Sequence, residues 1–186
     1  TSAPFSSGQY NVAVGRSALS GFTSGNYNVA IGYQAGDALT TGGSHVAIGY
    51  QALSAEDTAT GTVAIGYQSF LVQNGNGKNV GVGYYTGLRN TTGEKNVAIG
   101  FQAGLGAVSG NWSKNVFIGN DAGYSITNGG DDNVFVGNSA GYGSTTASGS
   151  VIIGSDAGLN IDSSNANVAI GSQALQEADA GSDGTV

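Results

Sequence analysis

Residues 28–36, NVAIGYQAG, decide the fold because the chain repeats this phrase about ten times with small changes. Later copies read HVAIGYQAL from residue 45, TVAIGYQSF from 62, NVGVGYYTG from 79 and NVAIGFQAG from 96. The first valines of the copies are Val12, Val29, Val46, Val63, Val80, Val97, Val116, Val134, Val151 and Val168. Successive valines are 17 residues apart, except for one step of 19 and one of 18. The two insertions fall in the polar stretches 106–114 and 127–132, which marks those stretches as loops.

A period of 17 residues is too short for repeats built from pairs of helices. Val and Ile alternate with Ala, and Gly ends the apolar run, which predicts a β-strand. The sequence therefore predicts an all-β fold, a parallel β-solenoid or β-roll of about ten 17-residue coils. We expect a strand on NVAIG and a second extended stretch near residues 38–40. At about 4.8 Å per coil, the array would form a rod on the order of 48 Å long.

The repeat divides the chain into three parts. Residues 1–10 are interpreted as a partial N-terminal coil, since SSGQYN resembles SGNYN at residues 24–28. Residues 11–175 form the ten-coil array. Residues 176–186 lose the pattern and are acidic, which indicates a C-terminal tail or linker.

Composition excludes several classes of function. Only five residues are Lys or Arg and the net charge is −7, so the chain lacks the basic face that nucleic acids require. The chain contains no Cys, which excludes thiol catalysis and Cys-based metal sites. No apolar run approaches 20 residues, so we expect no membrane insertion.

In a stacked array, equivalent positions of successive coils form columns that share one face. We expect the Val column and the Ile or Val column two residues later to fill the interior. The residue between them would then point outward, and it is apolar in all ten coils. A strand that is apolar on both faces is usually covered on both, so we predict that a second copy of the chain covers this column. The predicted oligomer interface consists of Ala30, Ala47, Ala64, Ala98, Phe117, Phe135 and Ile152. The alternative is that the outer face packs on a loop of its own chain.

Three further columns follow the apolar positions, and one of them, the aromatic column, has both a structural and a functional interpretation. Gly ends every phrase, which requires a positive φ or a crowded corner. The next column carries Tyr33, Tyr50, Tyr67, Tyr84 and Phe101 in successive coils. These rings would either form a structural ladder or grip the sugar rings of a receptor. The Gln residues at 34, 51, 68 and 102 would form an amide ladder beside them.

The remaining polar residues do not form a catalytic set. Asn begins seven of the phrases and is interpreted as a turn residue. His45, the only histidine, is interpreted as a substitute in that turn column. The carboxylate pairs Glu56-Asp57 and Asp131-Asp132 are interpreted as solvated turns. Lys78, Lys95 and Lys114 precede three successive strands and would hold an anionic glycan or remain solvated. We therefore predict no enzyme, cofactor or metal site.

The repeated VAIG phrase resembles the YadA-like head repeats of trimeric autotransporter adhesins and the related repeats of bacteriophage tail fibres. The resemblance covers residues 10–175, although the 17-residue period is longer than that of the autotransporter unit and no coiled-coil stalk is present. It implies a left-handed β-roll, three chains packed side by side and a role in surface attachment. It also implies an extracellular location, on a virion or a bacterial cell surface.

These observations predict a non-enzymatic fibrous attachment module that binds a cell-surface glycan or protein receptor. The insertions provide the best candidate surface, and Trp112, the only tryptophan, lies in the longer one. Trp112 would either recognise a receptor or fill a groove beside its own coil. The candidate receptor-binding residues are Trp112, Asn111, Lys114, Asp131, Asp132, Tyr33, Tyr50, Tyr67 and Tyr84.

One alternative is an ice-binding β-solenoid, since Thr recurs in one column at residues 23, 40, 91, 127 and 145. A further alternative is a passive spacer.

Overall fold

The computed structural model describes residues 7–108, 110–163 and 165–177, and over these residues the fold is an all-β solenoid of about nine turns. Ten three-residue strands form one parallel sheet in which each strand pairs with its neighbours in sequence. The strands are β1 (Val12–Val14), β2 (Val29–Ile31), β3 (Val46–Ile48), β4 (Val63–Ile65), β5 (Val80–Val82), β6 (Val97–Ile99), β7 (Val116–Ile118), β8 (Val134–Val136), β9 (Val151–Ile153) and β10 (Val168–Ile170). The predicted all-β solenoid is confirmed, and each strand lies on the predicted VAIG phrase.

Successive strands pair in register, so that Val29 faces Val46 and Ala30 faces Ala47. The predicted columns are therefore real columns of the structure. The second stretch near residues 38–40 does not form a strand, although it does link the coils. The Thr23 amide donates to the Thr40 carbonyl at 3.0 Å, and the Thr40 amide donates to the Asp57 carbonyl at 3.1 Å. Residues 1–6 and 178–186, which include most of the predicted terminal segments, lie outside the described residues.

The predicted orientation of the strands was wrong, because the interior and exterior faces are exchanged. The residue in the middle of each strand from β2 onward points inward and is buried by its own chain. The seven residues predicted at the oligomer interface, Ala30, Ala47, Ala64, Ala98, Phe117, Phe135 and Ile152, are at most 1% exposed. The flanking Val and Ile side chains point outward and are half-buried or exposed.

The reason for this orientation is the thinness of the coil. In the observed orientation each three-residue strand directs one side chain inward instead of two, which leaves room for large groups of the opposite wall such as Phe22 and Leu39. Where the middle residue is large, the facing position is glycine. A Cβ on Gly123 would lie 2.6 Å from the Phe117 ring, and one on Gly141 would lie 2.5 Å from the Phe135 ring. The alternative interpretation, in which the central column packs on its own chain, therefore describes the structure.

A buried ladder of side chains begins each strand and ties the coils together. The Asn28 Oδ1 atom accepts the backbone N–H of His45 at 2.9 Å, and the Asn28 Nδ2 atom donates to the Gly42 carbonyl at 3.0 Å. Asn96 and Asn115 repeat this arrangement further along the rod. The Asn column is therefore not the turn column that the sequence suggested. The left-handed φ falls instead on the preceding residue, for example Ser44 at 61°.

Glycine ends every strand for two reasons that act together. Each of these glycines has a φ between 128° and 142°, a region that residues with a Cβ rarely adopt. Except at Gly171, a Cβ here would also collide with the carbonyl of the equivalent glycine in the next coil, as Gly66 would with Gly83. The sequence prediction of a positive φ or a crowded corner is confirmed in both parts.

Replacement of Gly66 by Ala should lower the free energy of unfolding by about 3 kcal/mol or more, because strain and a steric clash add together. Gly171→Ala is the matched control, since Gly171 has a similar φ of 130° and its Cβ would meet nothing closer than 4.0 Å. The control should cost only the strain of about 1–3 kcal/mol. Urea denaturation of both variants checks this, and equal losses would contradict the role of the clash.

Candidate functional site

The outward Val and Ile side chains form an apolar ribbon along the sheet. We define the apolar ribbon as Val29, Ile31, Val46, Ile48, Val63, Ile65, Val80, Val82, Val97, Ile99, Val116, Ile118, Val134, Val136, Val151 and Ile153. Ile31, Val82, Ile99, Ile118 and Ile153 are each 37% exposed. The ribbon covers eight coils, or about 34 Å at the spacing of parallel strands, and two columns in width. A continuous apolar patch of this length is typical of a surface that contacts another molecule.

An aromatic ladder borders the apolar ribbon, because the aromatic residue follows the glycine that ends each strand. Tyr33, Tyr50, Tyr67, Tyr84 and Phe101 stack with centroid distances of 5.0–5.3 Å and interplanar angles of 7–14°. The Arg16 guanidinium lies 5.8 Å from the Tyr33 ring and covers that end of the stack. Desolvation, followed by the neighbouring Tyr85 and Tyr50, raises the pKa of Tyr67.

The geometry of the ladder favours its structural interpretation. Sugar rings pack on the faces of aromatic side chains, and within this stack each ring covers the face of the next. The Gln side chains beside the rings are also engaged along the rod. The Gln51 Nε2 atom donates to Gln34 Oε1 at 2.9 Å, and Gln68 Nε2 donates to Gln51 Oε1 at 2.7 Å. The predicted amide ladder is confirmed for these three residues, and the edges of the rings remain as the exposed part of the aromatic ladder.

The two insertions form one surface, here called the loop surface and defined as Asn111, Lys114, Asp131 and Asp132. The Lys114 Nζ atom lies 3.7 Å from Asp132 Oδ2, and the Ser113 amide donates to Asp131 Oδ1 at 2.7 Å. The structure thus brings Lys114, Asp131 and Asp132 together, and the Asn111 amide donates to Asn128 Oδ1 of the other insertion at 2.7 Å. It places them in different coils from the four tyrosines, so that the predicted receptor-binding residues form two patches.

Trp112 does not belong to the loop surface. Its side chain is 1% exposed and packs in the core cluster that contains Phe117 and Ile126. A Cβ on Gly106 would collide with the indole ring, so glycine makes the space for it. The prediction of an exposed recognition group was wrong, and the alternative that Trp112 fills a groove of its own coil is the one that the structure shows.

The three lysines do not form an unopposed cationic strip. Lys95 Nζ lies 3.0 Å from Glu94 Oε1. The hydrogen bond from Lys95 lowers the pKa of Glu94 first, and the charges of Lys78 and Lys114 lower it further. Glu94 therefore lies within the field of all three lysines, which supports the interpretation of a screened, solvated group over that of an anion site.

Two of the remaining titratable groups, His45 and Glu56, are buried. His45 occupies the place of an Asn, as predicted, but its column is the buried ladder and not a turn column. Glu56 is fully buried, so its interpretation as part of a solvated turn was wrong. Within the described residues, no group of three or more His, Asp and Glu side chains could hold a metal ion. The same residues include no helix of the length and apolarity that a membrane span requires.

The Thr column uses its hydroxyl groups within the rod. Thr91 Oγ1 donates to the Gly110 carbonyl at 2.8 Å, and Thr127 Oγ1 donates to the Thr145 carbonyl at 3.0 Å. Thr23 makes the same bond to the Thr40 carbonyl at 2.9 Å. An ice-binding face requires a regular rank of outward hydroxyls, whereas these hydroxyls point along the rod axis to the next coil.

Comparison of the chain with protein-family models, with curated proteins and with solved structures finds no match.

Tyr50→Leu should lower the free energy of unfolding by about 1–3 kcal/mol, because Tyr50 stacks on both Tyr33 and Tyr67 and each aromatic pair contributes about 0.5–1.5 kcal/mol. Tyr50→Phe is the matched control, since Phe101 occupies the same column, and it should be close to neutral. Urea denaturation measures both. A neutral Tyr50→Leu variant would contradict the structural role of the ladder.

Proposed function

We propose that the chain is a non-enzymatic, fibrous attachment module that assembles side by side as a homotrimer through the apolar ribbon. The observation that carries this proposal is the uninterrupted apolar surface along the outer face of the sheet. The resemblance to adhesin heads and phage fibres favours three chains and a left-handed coil. The proposed location is extracellular, on a virion or a bacterial surface.

Physical chemistry supports association through this face. Buried apolar surface contributes about 25 cal/mol per Å², and the ribbon contains no charged or hydrogen-bonding side chain. The columns present the same side-chain types at the same spacing in every coil, so that copies of the chain match one another along the whole rod. Regular, flat and apolar surfaces of this kind are suited to a permanent interface rather than to a transient polar contact.

The proposed attachment surface is the loop surface, together with the exposed edges of the aromatic ladder. Neither surface holds a set of groups that could carry out acid–base or nucleophilic chemistry. A trimer presents each surface three times, so that weak individual contacts with a glycan or protein receptor add up to useful avidity. Such multivalent binding suits a fibre that attaches to a surface bearing many copies of its receptor.

Two other functions remain as alternatives to receptor binding. An ice-binding solenoid would show thermal hysteresis, although the Thr hydroxyls described above weigh against it. A passive spacer would trimerise in the same way but would bind no cell surface. The two experiments that follow separate assembly from attachment.

Ile48→Lys should abolish trimer formation, because it places a charge in the middle of the apolar ribbon, where an assembled interface would have to desolvate it. Ser44→Lys is the matched control in the same coil. Position 44 shares its column and its positive φ with Lys78 and Lys95, so lysine is accommodated there. Sedimentation equilibrium should show trimers for the parent and the control and monomers for Ile48→Lys. A monomeric parent chain would contradict the proposed assembly.

The double variant Lys114→Ala, Asp132→Ala should lose most binding to receptor-bearing cells or to a glycan array while remaining folded and trimeric. Both side chains are more than half exposed, so their ion pair contributes little stability. Lys78→Ala, in the same column two coils away, should bind normally. If the parent trimer itself binds no cell and no glycan, the spacer function replaces attachment.

A further inference from the structure

The hydrophobic core of the rod is divided into two segments. The N-terminal segment runs from Leu19 to Phe70, and the C-terminal segment runs from Ala98 to Ala169. The coil between them contributes Gly81, Thr86 and Asn90 to the interior, where other coils contribute apolar side chains. The Phe70 ring leans over Gly87 from the preceding coil, which fills space but does not connect the two segments.

Buried polar side chains occupy the division, and we call them the polar layer: Glu56, Ser69, Gln73, Thr86 and Asn90. All five are fully buried. Phe22 and Leu39 precede Glu56, Gln73 and Asn90 at the equivalent 17-residue spacing of the same wall. Apolar groups thus give way to polar ones over three successive coils in the middle of the rod.

The polar layer is held together by hydrogen bonds. Ser69 Oγ and Thr86 Oγ1 are 2.7 Å apart, and Asn79 Nδ2 donates to Gln73 Oε1 at 2.9 Å. The Glu56 carboxylate accepts the backbone N–H groups of Asp57 and Ala59 at 3.1 and 2.9 Å and lies 3.3 Å from that of Gly75. A bond between neutral groups contributes less net stability than burial of a Leu or Phe side chain, because water satisfies the same groups when the layer opens.

His45 is a titratable group that lies next to the polar layer, since it contacts Ala59, whose amide donates to Glu56. Its Nδ1 atom accepts the backbone N–H of Thr62 at 3.2 Å, and its Nε2 atom lies 2.7 Å from the Ala59 carbonyl. This pattern requires the neutral ring with its proton on Nε2, because a proton on Nδ1 would point at the Thr62 N–H. Burial lowers the pKa of His45, against smaller opposing effects of the Ala59 carbonyl and of Glu56, the charged group that acts on it.

We propose that the polar layer is a built-in break point of the rod, at which coils 45–95 open before the apolar coils on either side of them unfold, and that acidification promotes this opening through His45. The direction in which pH shifts the opening equilibrium follows from proton linkage. The exposed ring of the opened state takes up a proton near its ordinary pKa of about 6.5, whereas the buried ring resists it. Opening therefore becomes easier as the pH falls below about 6.5 and is independent of His45 above that value. A rod that loosens in its middle in a mildly acidic environment would separate its two ends without complete unfolding.

Hydrogen exchange of the intact protein, followed by mass spectrometry of its peptides, tests the proposal. At pH 7, amides of residues 45–95 should exchange faster than those of 29–42 and 134–147, after correction for intrinsic rates. Between pH 6.5 and the lowered pKa of His45, the opening constant of residues 45–95 should rise up to about tenfold per pH unit. Protection that is uniform along the rod, or lowest in the flanking coils, would overturn the break point.

His45→Asn is the matched variant, because Asn occupies this ladder position in seven other coils and supplies the same acceptor and donor. It should keep the faster exchange of residues 45–95, and its opening constant should no longer rise through His45 as the pH falls below about 6.5. An unchanged pH dependence in this variant would overturn the role of His45.

Trp112 provides a second readout, since the only tryptophan lies in the C-terminal segment. In urea, its fluorescence should follow that segment alone, so that the transition differs from the one seen by far-ultraviolet circular dichroism. Ser69→Ala with Thr86→Ala restores the alanine of neighbouring coils and should bring the two transitions closer together. Coincident transitions in the parent protein would contradict the division of the core.

Discussion

The stacking of coils in exact register is the constraint on which the rest of the structure depends. Every strand pairs with the next at equivalent residues, so one side-chain choice is repeated at the spacing of hydrogen-bonded strands along the whole rod. This repetition turns modest interactions into ladders of Asn, Gln and Tyr. It also imposes a strict condition at the corner, where one glycine lies directly against the carbonyl of the next. A larger residue in one coil would disturb two coils, and this explains why glycine ends each of the ten phrases.

The period, the number of strands and the position of each strand could be predicted from the sequence, because a 17-residue repetition has one simple physical explanation. The choice of inner face could not be made from alternation alone, since both faces of the strand are apolar. Compensation in size carries the missing signal. Ala47 and Ala64 are followed six residues later by Leu53 and Phe70, whereas Phe117 and Phe135 are followed by glycine. Ala30 and Ala98 are also followed by glycine, and there Leu39 and Phe117 fill the space. Such an exchange of volume requires the two columns to share one enclosed space, which places the middle of the strand inside.

The sites were less predictable than the fold, because burial depends on which wall of the coil a loop residue occupies. Trp112 and Glu56 both lie in polar stretches. Glu56 was interpreted as a surface group and Trp112 was left between a surface and a buried position, yet both are buried in their coils. An insertion can bring a large side chain back into the core, as Trp112 shows. A carboxylate can be buried where several backbone N–H groups converge on it, as those of Asp57 and Ala59 do on Glu56. Neither arrangement has a local sequence pattern that distinguishes it from an exposed turn.

The outward column consists of Val and Ile and not of the predicted Ala and Phe residues. This orientation favours the proposed assembly, although through other residues than those predicted. Small alanines on an outer face would have left a shallow surface with little area to bury. The structure instead turns Val and Ile outward, and these side chains offer more apolar area in every coil. A single chain whose core is already buried gains no stability from Val and Ile side chains exposed to water. Ser, Thr and Lys at the same positions would make it more soluble. The proposed assembly accounts for the β-branched residues of the apolar ribbon, because another copy of the same rod would offer a surface that is equally regular and equally long.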